Sequence, residues 1–471
     1  MTIQWSGWSP GLLIRLDRGS GEPLRAQLEG AIRTAIWEGR LTVGERLPSS
    51  RALARDLGIS RGLVQECYNQ LLSEGYLESQ VGSATRVARG AQPIPAAAAR
   101  QPAAPSPLIA DFQPGVPDLA SFPRGDWSWA MQQACRTIAA PDFGYGDPRG
   151  DAELRKVLAG YLRRVRAAAA DADSLVICTG FAQGLSLVLR VLAEHGVRTV
   201  AFEDPGYGSA DTSSSVRAAA AAGAVAVHVP VDEQGISVTA LEASGAGAVV
   251  VTAAHQSPTG VVMAAGRRHS LVEWARRTDA FIVEDDYDSE FRYDREPTGV
   301  VQGLAPERVF AIGTVSKALA PAVRLGWVLS PRQLVASLAE EKAVSDRGSS
   351  GLDQRALAAL LESGRYDRHL RRMRATYAKR RGALIERIAA HAPQARLTGL
   401  AAGFHAVLHL PASADEREVA GIALTRSVGL YPMGLYRVDL PATSPQLVVG
   451  FGNVSERAIE LGITTVADLL R

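Results

Sequence analysis

Residues 89–110 form a segment that cannot take part in a folded core. The stretch GAQPIPAAAARQPAAPSPLIA at residues 90–110 has five prolines among alanines and almost no charge. Such a composition forms an extended, semi-rigid spacer of ~3.1 Å per residue, with a reach of roughly 60 Å. Because few contacts can cross a spacer of this kind, the 471-residue chain is predicted to fold as two units, a small one over residues 12–88 and a large one over residues 111–471.

Bulk composition excludes several classes of protein. Apolar residues make up 46% of the chain and the net charge is +2, which is typical of a globular protein and does not by itself indicate a polyanion binder. The three cysteines, Cys67, Cys135 and Cys178, are widely spaced among apolar residues, so we predict buried reduced thiols and no metal site. The start of the chain lacks a signal peptide, and no run approaches the ~18 apolar residues of a membrane span. We therefore expect a cytoplasmic protein with no membrane partner.

The small unit is predicted to contain three helices followed by a hairpin. Ser49 or Ser50 is the expected N-cap of the second helix, and Ser60 is the expected N-cap of the third. Residues 76–87 are predicted to form two short strands that turn at Gly82–Ser83. The apolar residues that recur every four positions in the first helix are Leu24, Leu28, Ile32 and Ile36.

Two short helices joined by a tight turn and followed by a hairpin are typical of a winged helix-turn-helix, whose second helix enters the major groove of DNA. The stretch PSSRALARDLGISRGLVQE, residues 48–66, resembles the GntR family of DNA-binding proteins. The resemblance implies DNA contacts at Arg51, Ser60 and Arg61, with Gln65 where the family has a third arginine. The alternative is a three-helix bundle that binds nothing.

From residue 111 onward, continuous apolar runs alternate with helix-like segments. This pattern predicts an α/β domain in which helices cover both faces of a sheet. In open α/β sheets, ligands bind at the carboxyl ends of the strands, so the residues that follow each run are the candidates for a site. The runs are LVICT, RTVAFE, AVVVT, AFIVED, RVFAIG and LGWVLS.

Lys317 follows one of these runs in a chain that has only four lysines among 51 basic residues. Lys156, Lys342 and Lys379 lie in charged, helical surroundings and are interpreted as solvated surface residues. Lys317 is flanked by Ser316 and by small apolar residues. A compact amine there is either an unusually placed surface residue or a reactive group, because burial lowers the pKa of a lysine and frees its nucleophile.

The other strand ends contribute complementary chemical groups. Gly180 opens a helix whose first amides can receive a phosphate, and Asp285 and Asp286 follow another strand. Lysine forms a Schiff base with an aldehyde, a carboxylate keeps a ring nitrogen protonated, and hydroxyls with an arginine neutralise a phosphate. Together these groups indicate a site for pyridoxal 5′-phosphate (PLP). Taken one at a time, they are also compatible with solvated strand ends and capping groups.

The order and spacing of these groups resemble the fold-type I aminotransferases over residues 111–471. By that resemblance, Lys317 forms the Schiff base with PLP, Asp285 faces the pyridine nitrogen and Tyr287 faces the ring hydroxyl. Tyr145 would reach the phosphate from a partner subunit, which implies a homodimer. The remaining implied cofactor contacts are Tyr207 on the ring face, Ser257 near the ring hydroxyl, and Phe181, Ala182, Thr314, Ser316 and Arg324 around the phosphate.

The sequence departs from the aminotransferase pattern at several positions. Ser257 replaces the asparagine that usually binds the ring hydroxyl, and His255 and Gln256 are the neighbours that could compensate. The phosphate-binding turn keeps only backbone donors. No arginine lies within QLVVGFGN, where the carboxylate of an amino acid is usually bound, and Arg437 is the alternative anchor.

A winged helix joined through a spacer to an aminotransferase-like domain is the arrangement of the MocR subfamily of GntR regulators, which HQSPTG, EDDYDSEFRY and SKALAPAVRLGW also resemble. The resemblance implies a transcription factor that binds a double-stranded DNA operator and senses PLP, or a small amine or amino acid that reacts with bound PLP. It also implies a homodimer, for which a head-to-tail domain swap is one arrangement. The alternative is a working aminotransferase with an accessory DNA-binding head. Steady turnover would favour the enzyme, and one half-reaction without turnover would favour the regulator.

Overall fold

The computed structural model describes residues 2–4, 13–79, 84–90, 108–206, 213–293, 299–399, 402–438 and 444–471. The chain divides into two compact units, Met1–Pro105 and Ser106–Arg471. Each unit has its own hydrophobic core. The predicted spacer at residues 89–110 lies largely outside the described residues.

The small unit contains helices and short strand pairs. Its elements are β1 (Thr2–Gln4), β2 (Leu13–Arg15), α1 (Leu24–Trp37), α2 (Ser50–Leu57), α3 (Arg61–Ser73), β3 (Leu77–Glu78) and β4 (Arg86–Val87). Leu28, Ile32 and Ile36 of the predicted apolar repeat are buried in α1, so the helical periodicity correctly identified the face that packs on the core.

Serine caps fix where α2 and α3 begin. Ser49, rather than Ser50, is the N-cap of α2, because its hydroxyl accepts a hydrogen bond from the Ala52 amide at 3.2 Å. Ser60 accepts a hydrogen bond from the Leu63 amide in the same way and starts α3. Between the two helices, Gly58 adopts a left-handed conformation with φ of 64°. The caps and the glycine together produce the tight turn that the sequence predicts.

The hairpin after α3 pairs β3 with β4 in antiparallel register, with Leu77 opposite Val87. The predicted turn at Gly82–Ser83 lies outside the described residues. An additional antiparallel pair, β1 with β2, precedes α1 and was not predicted.

The large unit contains eleven helices among its described residues. In chain order they are α4 (Arg124–Thr137), α5 (Ala152–Arg166), α6 (Phe181–Glu194), α7 (Ser214–Ala221), α8 (Val238–Ala243), α9 (Ala265–Thr278), α10 (Val335–Asp346), α11 (Gly351–Glu362), α12 (Arg365–His391), α13 (Glu416–Thr425) and α14 (Glu456–Val466).

The strands of the large unit form sheets of eight and four strands and one further pair. In chain order they are β5 (Ala110–Asp111), β6 (Leu175–Cys178), β7 (Thr199–Asp204), β8 (Val225–Asp232), β9 (Gly235–Ile236), β10 (Ala248–Val251), β11 (Phe281–Asp286), β12 (Val309–Thr314), β13 (Gly326–Leu329), β14 (Arg396–Thr398), β15 (His405–His409), β16 (Val428–Gly429), β17 (Tyr431–Pro432) and β18 (Gln446–Gly450).

The eight-stranded sheet has the order β6-β13-β12-β11-β10-β7-β8-β9. Its central strands, from β12 through β8, pair in parallel, whereas β13 is antiparallel to both of its neighbours. All six predicted apolar runs are strands of this sheet. The sequence analysis missed β8, because most of its side chains are only partly buried and the strand lacks a continuous apolar run.

Helices cover both faces of this sheet, as the apolar runs predict. Successive residues of β10 alternate between two cores, since Val249 packs with Trp274 of α9 and Val250 packs with Val188 of α6. The four-stranded sheet has the order β14-β15-β18-β17, and β16 pairs with β5.

The cysteine prediction is partly wrong. Cys67 and Cys178 are buried free thiols, but Cys135 is exposed on α4, whose buried positions are Ala130 and Ala134. Its apolar neighbours in sequence lie on the other side of the helix. Among the described residues, no helix combines the length and the apolar character that a membrane span needs.

Candidate functional site

The register of two parallel strands brings the predicted lysine and carboxylates to one edge of the large sheet. Asp285 of β11 lies opposite Ile312 of β12, and Asp286 lies opposite Gly313. Both strands therefore end at the same level, and Lys317 follows the end of β12 by three residues. This is the edge at which α/β sheets bind ligands.

The amine of Lys317 is held inside the large unit. Its Nζ donates a hydrogen bond to the Gly115 carbonyl at 2.6 Å. Burial lowers the pKa of Lys317, and the carboxylates of Asp285 and Asp288 oppose that shift. The lysine is thus a partly desolvated amine facing two acids, which is the environment of a reactive lysine rather than of a surface lysine.

Alternation along β11 separates the roles of its two aspartates. Asp286 receives two hydrogen bonds from the buried guanidinium of Arg166, at 2.7 and 2.6 Å. Asp285 points to the opposite face, is buried, and acts electrostatically on Lys317. Of the two acids, Asp285 is therefore the one that lies on the same side of the sheet as Lys317.

Tyr287 lies close to Ser257 and to the loop after β10. Its hydroxyl donates a hydrogen bond to the His255 carbonyl at 3.0 Å. Burial raises the pKa of Tyr287 well above its usual value, and the nearby charges of Asp288 and Asp285 raise it further, whereas a hydrogen bond with Ser257 lowers it. The tyrosine is therefore a neutral phenol and a hydrogen-bond donor at this site.

Three residues predicted around a phosphate have side chains that converge on Gly180. A Cβ atom placed on Gly180 would lie 3.6 Å from Thr314 Oγ1, 3.8 Å from Arg324 Nη1 and 3.9 Å from Ser316 Oγ. Gly180 itself has φ of 119°, in the region that favours glycine. Two hydroxyls and a guanidinium thus converge on the Cα atom of Gly180, which carries a hydrogen atom in place of a side chain.

Helix α6 adds its N-terminus to this space. Gly180 is the N-cap, and the first helical residues are Phe181 and Ala182. Amides in the first turn of a helix attract anions. The Arg324 guanidinium makes no hydrogen bond or ion pair with another described residue, so it is free to bind an anion. Thr314 is less free, since its hydroxyl also donates to the Leu325 carbonyl at 3.2 Å.

Lys342 corrects one interpretation of the sequence, because it is completely buried and not a solvated surface residue. Its Nζ donates to both carboxylate oxygens of Asp346, at 2.5 and 2.7 Å, and to Ser349 Oγ at 3.1 Å. Asp346 also accepts a hydrogen bond from Gln183 Nε2, at 2.7 Å. The ion pair therefore anchors the first turn of α6, to which Gln183 belongs. The sequence gives no direct signal for this role.

The described contacts of Tyr145 and Arg437 are with residues other than Lys317. Tyr145 is 78% exposed, and the guanidinium of Arg347 lies 5.3 Å from the centre of its ring. Arg437 donates a hydrogen bond to Gln446 at 2.9 Å and lines a cavity of about 660 Å³ whose lining does not include Lys317. Tyr207, predicted to stack on the cofactor ring, lies outside the described residues.

The two neighbours of Ser257 are both committed to other groups. His255 Nδ1 lies 2.8 Å from Asp288 Oδ2. Gln256 Nε2 donates to the Pro205 carbonyl at 2.8 Å and to Glu203 at 3.2 Å. The Gln256 side chain therefore holds the loop in place.

In the small unit, the predicted DNA-contacting residues lie together on the surface. Arg51, Arg61 and Gln65 are exposed, and Ser60 caps α3. Arg61 Nε lies 3.5 Å from Ser50 Oγ, which places the start of α3 against the start of α2. The helix N-terminus and two arginines form one exposed cationic surface, suited to contact with DNA phosphates or base edges.

Comparisons with known proteins also divide the chain into a small N-terminal unit and a large C-terminal unit. Residues 24–87 match the family described as "Bacterial regulatory proteins, gntR family", and residues 123–447 match "Aminotransferase class I and II". The pyridoxine biosynthesis transcriptional regulator PdxR of Corynebacterium glutamicum is 31% identical and aligns with 97% of this chain and 98% of its own. The probable rhizopine catabolism regulatory protein MocR of Rhizobium meliloti is also 31% identical, over 96% of this chain and 95% of its own.

The chain belongs to the MocR subfamily of GntR-type transcriptional regulators.

The large unit of this MocR-type protein has the fold of PLP-dependent aminotransferases. A crystal structure of an archaeal alanine:glyoxylate aminotransferase superimposes with a TM-score of 0.68, at 26% identity, over 77% of this chain and 90% of that chain. The residues present fit the cofactor that this fold implies. The hydroxyls and the Arg324 guanidinium around Gly180 are suited to bind a phosphate. The desolvated amine of Lys317 is suited to react with an aldehyde.

Replacement of Asp346 tests whether the buried ion pair supports this site. In Asp346→Ala the Lys342 ammonium keeps its burial but loses its carboxylate, so we expect a loss of about 3 kcal/mol in the free energy of unfolding, measured by urea denaturation of the full chain. This is the low end for a broken buried pair, because Asp346 keeps 28% exposure and water can partly replace it.

The double variant Lys342→Met/Asp346→Ala removes both charges and should recover most of the lost stability. If Asp346→Ala unfolds at the same urea concentration as the wild type, the ion pair does not stabilise the start of α6.

Proposed function

We propose that this MocR-type protein is a PLP-dependent, DNA-binding transcriptional regulator. The small unit, residues 12–88, would bind the operator, and the large unit, residues 111–471, would bind PLP and sense the effector. The spacer at residues 89–110 would join them. The observation that carries this proposal is the desolvated Lys317 amine facing Asp285, together with the two hydroxyls and the guanidinium that converge on Gly180, in a chain that also has a GntR-type head.

The proposed cofactor contacts follow from the geometry of the large unit. When bound, PLP supplies an aldehyde that condenses with primary amines. Lys317 would offer the amine, and Asp285 would hold a proton on the pyridine nitrogen. The Tyr287 hydroxyl would lie near the ring oxygen, with Ser257 beside it. Tyr207 would stack on the ring.

The phosphate would be held by residues from two strand ends. Thr314, Ser316 and Arg324 would supply hydroxyls and a positive charge, and the amides of Phe181 and Ala182 would supply the helix N-terminus. Gly180 leaves the space for the oxygens, since any side chain there would occupy it.

The effector would act by favouring one arrangement of the units over another, because a ligand can shift an equilibrium only through different affinities for the two states. Reaction of the effector at Lys317 would supply that difference. PLP itself is the effector we favour, because the arginine that usually binds an amino-acid carboxylate is missing from its expected place. A relative of 31% identity named for pyridoxine biosynthesis supports the same choice. The other class of candidate effector is a small amine or amino acid that reacts with bound PLP.

An aminotransferase with an accessory head is the alternative function. It would need an anchor for the substrate carboxylate, and Arg437 forms its described hydrogen bond with Gln446 rather than with a group near Lys317. Relatives named as transcriptional regulators along nearly their whole length favour the regulator. Such a protein would work in the cytoplasm, where its operator is.

A homodimer is part of the proposal. Phe143, Tyr145 and Val344 are large apolar residues that are 64%, 78% and 79% exposed. Arg347, the C-cap of α10, places its guanidinium over the Tyr145 ring. Exposed apolar groups of this kind suit an interface between subunits. Tyr145 of one subunit would then reach the phosphate space of the other. A head-to-tail exchange of the small units is one form that such a dimer could take.

The Schiff-base assignment is tested by Lys317→Ala. Protein incubated with PLP, reduced with borohydride and digested should carry a pyridoxyl group on the Lys317 peptide in the wild type, as found by mass spectrometry. The variant should fold and carry none, because alanine has no amine. Lys156→Ala, which removes a lysine that is 76% exposed, should be labelled like the wild type. Labelling that persists in Lys317→Ala would contradict the assignment.

The DNA-binding assignment is tested by Arg61→Ala. We expect affinity for DNA that carries the gene's own promoter to fall by about tenfold or more, because an exposed cation at the start of α3 is lost. Arg40→Ala, in the same unit but outside α2 and α3, is the matched control. Fluorescence anisotropy at several salt concentrations should show a weaker salt dependence for the Arg61 variant only. Equal affinities for both variants and the wild type would remove Arg61 from the interface.

The dimer surface is tested by Val344→Asp. A charge at this exposed position of α10 should weaken association and shift the protein toward monomer in analytical ultracentrifugation, without affecting the fold. Val225→Asp, at a residue of β8 that is 64% exposed, is the control for an added surface charge. If Val344→Asp sediments like the control, α10 is not at the subunit interface.

A further inference from the structure

Two histidines and an aspartate form a buried polar cluster next to Lys317. His255, Asp288 and His405 have side chains that are almost fully removed from solvent, at 1%, 1% and 2% residue exposure. One ring nitrogen from each histidine and one carboxylate oxygen lie within 4.8 Å of one another. The centres of the two imidazole rings are 4.5 Å apart. The proposed contacts of PLP do not use these three side chains.

Each imidazole has one nitrogen committed and one nitrogen without a partner. His255 Nδ1 lies 2.8 Å from Asp288 Oδ2, and since a carboxylate only accepts, Nδ1 carries the hydrogen. His405 is hydrogen-bonded to the backbone of Pro258. The Nε2 atoms of both histidines are buried and have no hydrogen-bond partner among the described residues.

A buried polar atom without a hydrogen-bond partner destabilises the folded state, so two of them in neighbouring rings call for an explanation. The pattern is that of metal-binding histidines, which use one ring nitrogen as the ligand and donate the other N–H to a carboxylate or a backbone carbonyl. His255 has the carboxylate of Asp288, and His405 has the backbone of Pro258. The backbone packs closely against the cluster, since a Cβ on Gly403 would lie only 2.4 Å from the His255 ring.

We propose that His255 and His405 bind a divalent transition-metal ion of the zinc type through their Nε2 atoms. Asp288 orients His255 and offsets part of the positive charge. Imidazole nitrogen is the ligand that zinc, copper, nickel and cobalt share, whereas magnesium and calcium prefer oxygen. Solvent completes the coordination. The cysteine-based reasoning from the sequence could not find this site, since its residues come from three separate segments.

The binding of the ion itself depends only on the cluster and does not require that PLP be the cofactor.

Equilibrium dialysis of the full-length, untagged protein against Zn²⁺ alone, followed by elemental analysis, tests the proposal. We expect one ion per chain in the wild type and none in His405→Phe. Asp288→Asn keeps the side-chain volume but weakens the orienting contact, so zinc affinity should fall by roughly 10–100-fold. His409→Phe removes a histidine from the same strand outside the cluster and should bind like the wild type.

The same measurements on Lys317→Ala separate this proposal from that of PLP binding, since the variant lacks the amine but keeps the cluster. Co²⁺ in place of zinc should give visible d–d absorption from nitrogen coordination in the wild type and in Lys317→Ala. Circular dichroism establishes that each variant folds. The proposal is overturned if the wild type retains no more zinc than His405→Phe, or if Co²⁺ shows only its aqueous spectrum.

Discussion

The parallel register of β11 and β12 is the constraint on which the large unit's site depends. Side chains alternate along a strand, so a slip of one residue would move Asp285 to the opposite face and bring Glu284 or Asp286 to the side of Lys317. The observed pairing of Asp285 with Ile312 prevents this. Asp285 lies in a buried strand and Lys317 lies in the turn that directly follows the neighbouring buried strand, which limits their relative movement before any ligand binds.

Three successive acids at the end of β11 have different partners because of that alternation. Glu284 accepts hydrogen bonds from the amides of Val301 and Gln302, and burial raises its pKa to about 7. Asp286, on the same face, is bound by the guanidinium of Arg166. Two of the acids therefore stabilise the structure on one face of the sheet, whereas Asp285 lies on the other face and acts electrostatically on Lys317.

Much of this arrangement could be predicted from the sequence, because it rests on local and periodic signals. Apolar runs identified six strands of the large sheet, and Ser60 marked the start of α3 through its capping hydroxyl. The same reasoning missed β8, where burial is incomplete. It left Ser49 and Ser50 undecided, since both precede a helix and only the conformation of the backbone determines which hydroxyl meets the Ala52 amide.

What could not be predicted is the burial of charged and polar groups whose partners are distant in the chain. Lys342 and Asp346 are four residues apart, which is also the spacing of an ordinary surface ion pair, and only contact with Gln183, more than 150 residues away, shows that the pair is internal. His255 and His405 meet across a similar separation. A charged residue is removed from water only where its partners compensate for the lost hydration, so its burial depends on tertiary structure and not on its own sequence surroundings.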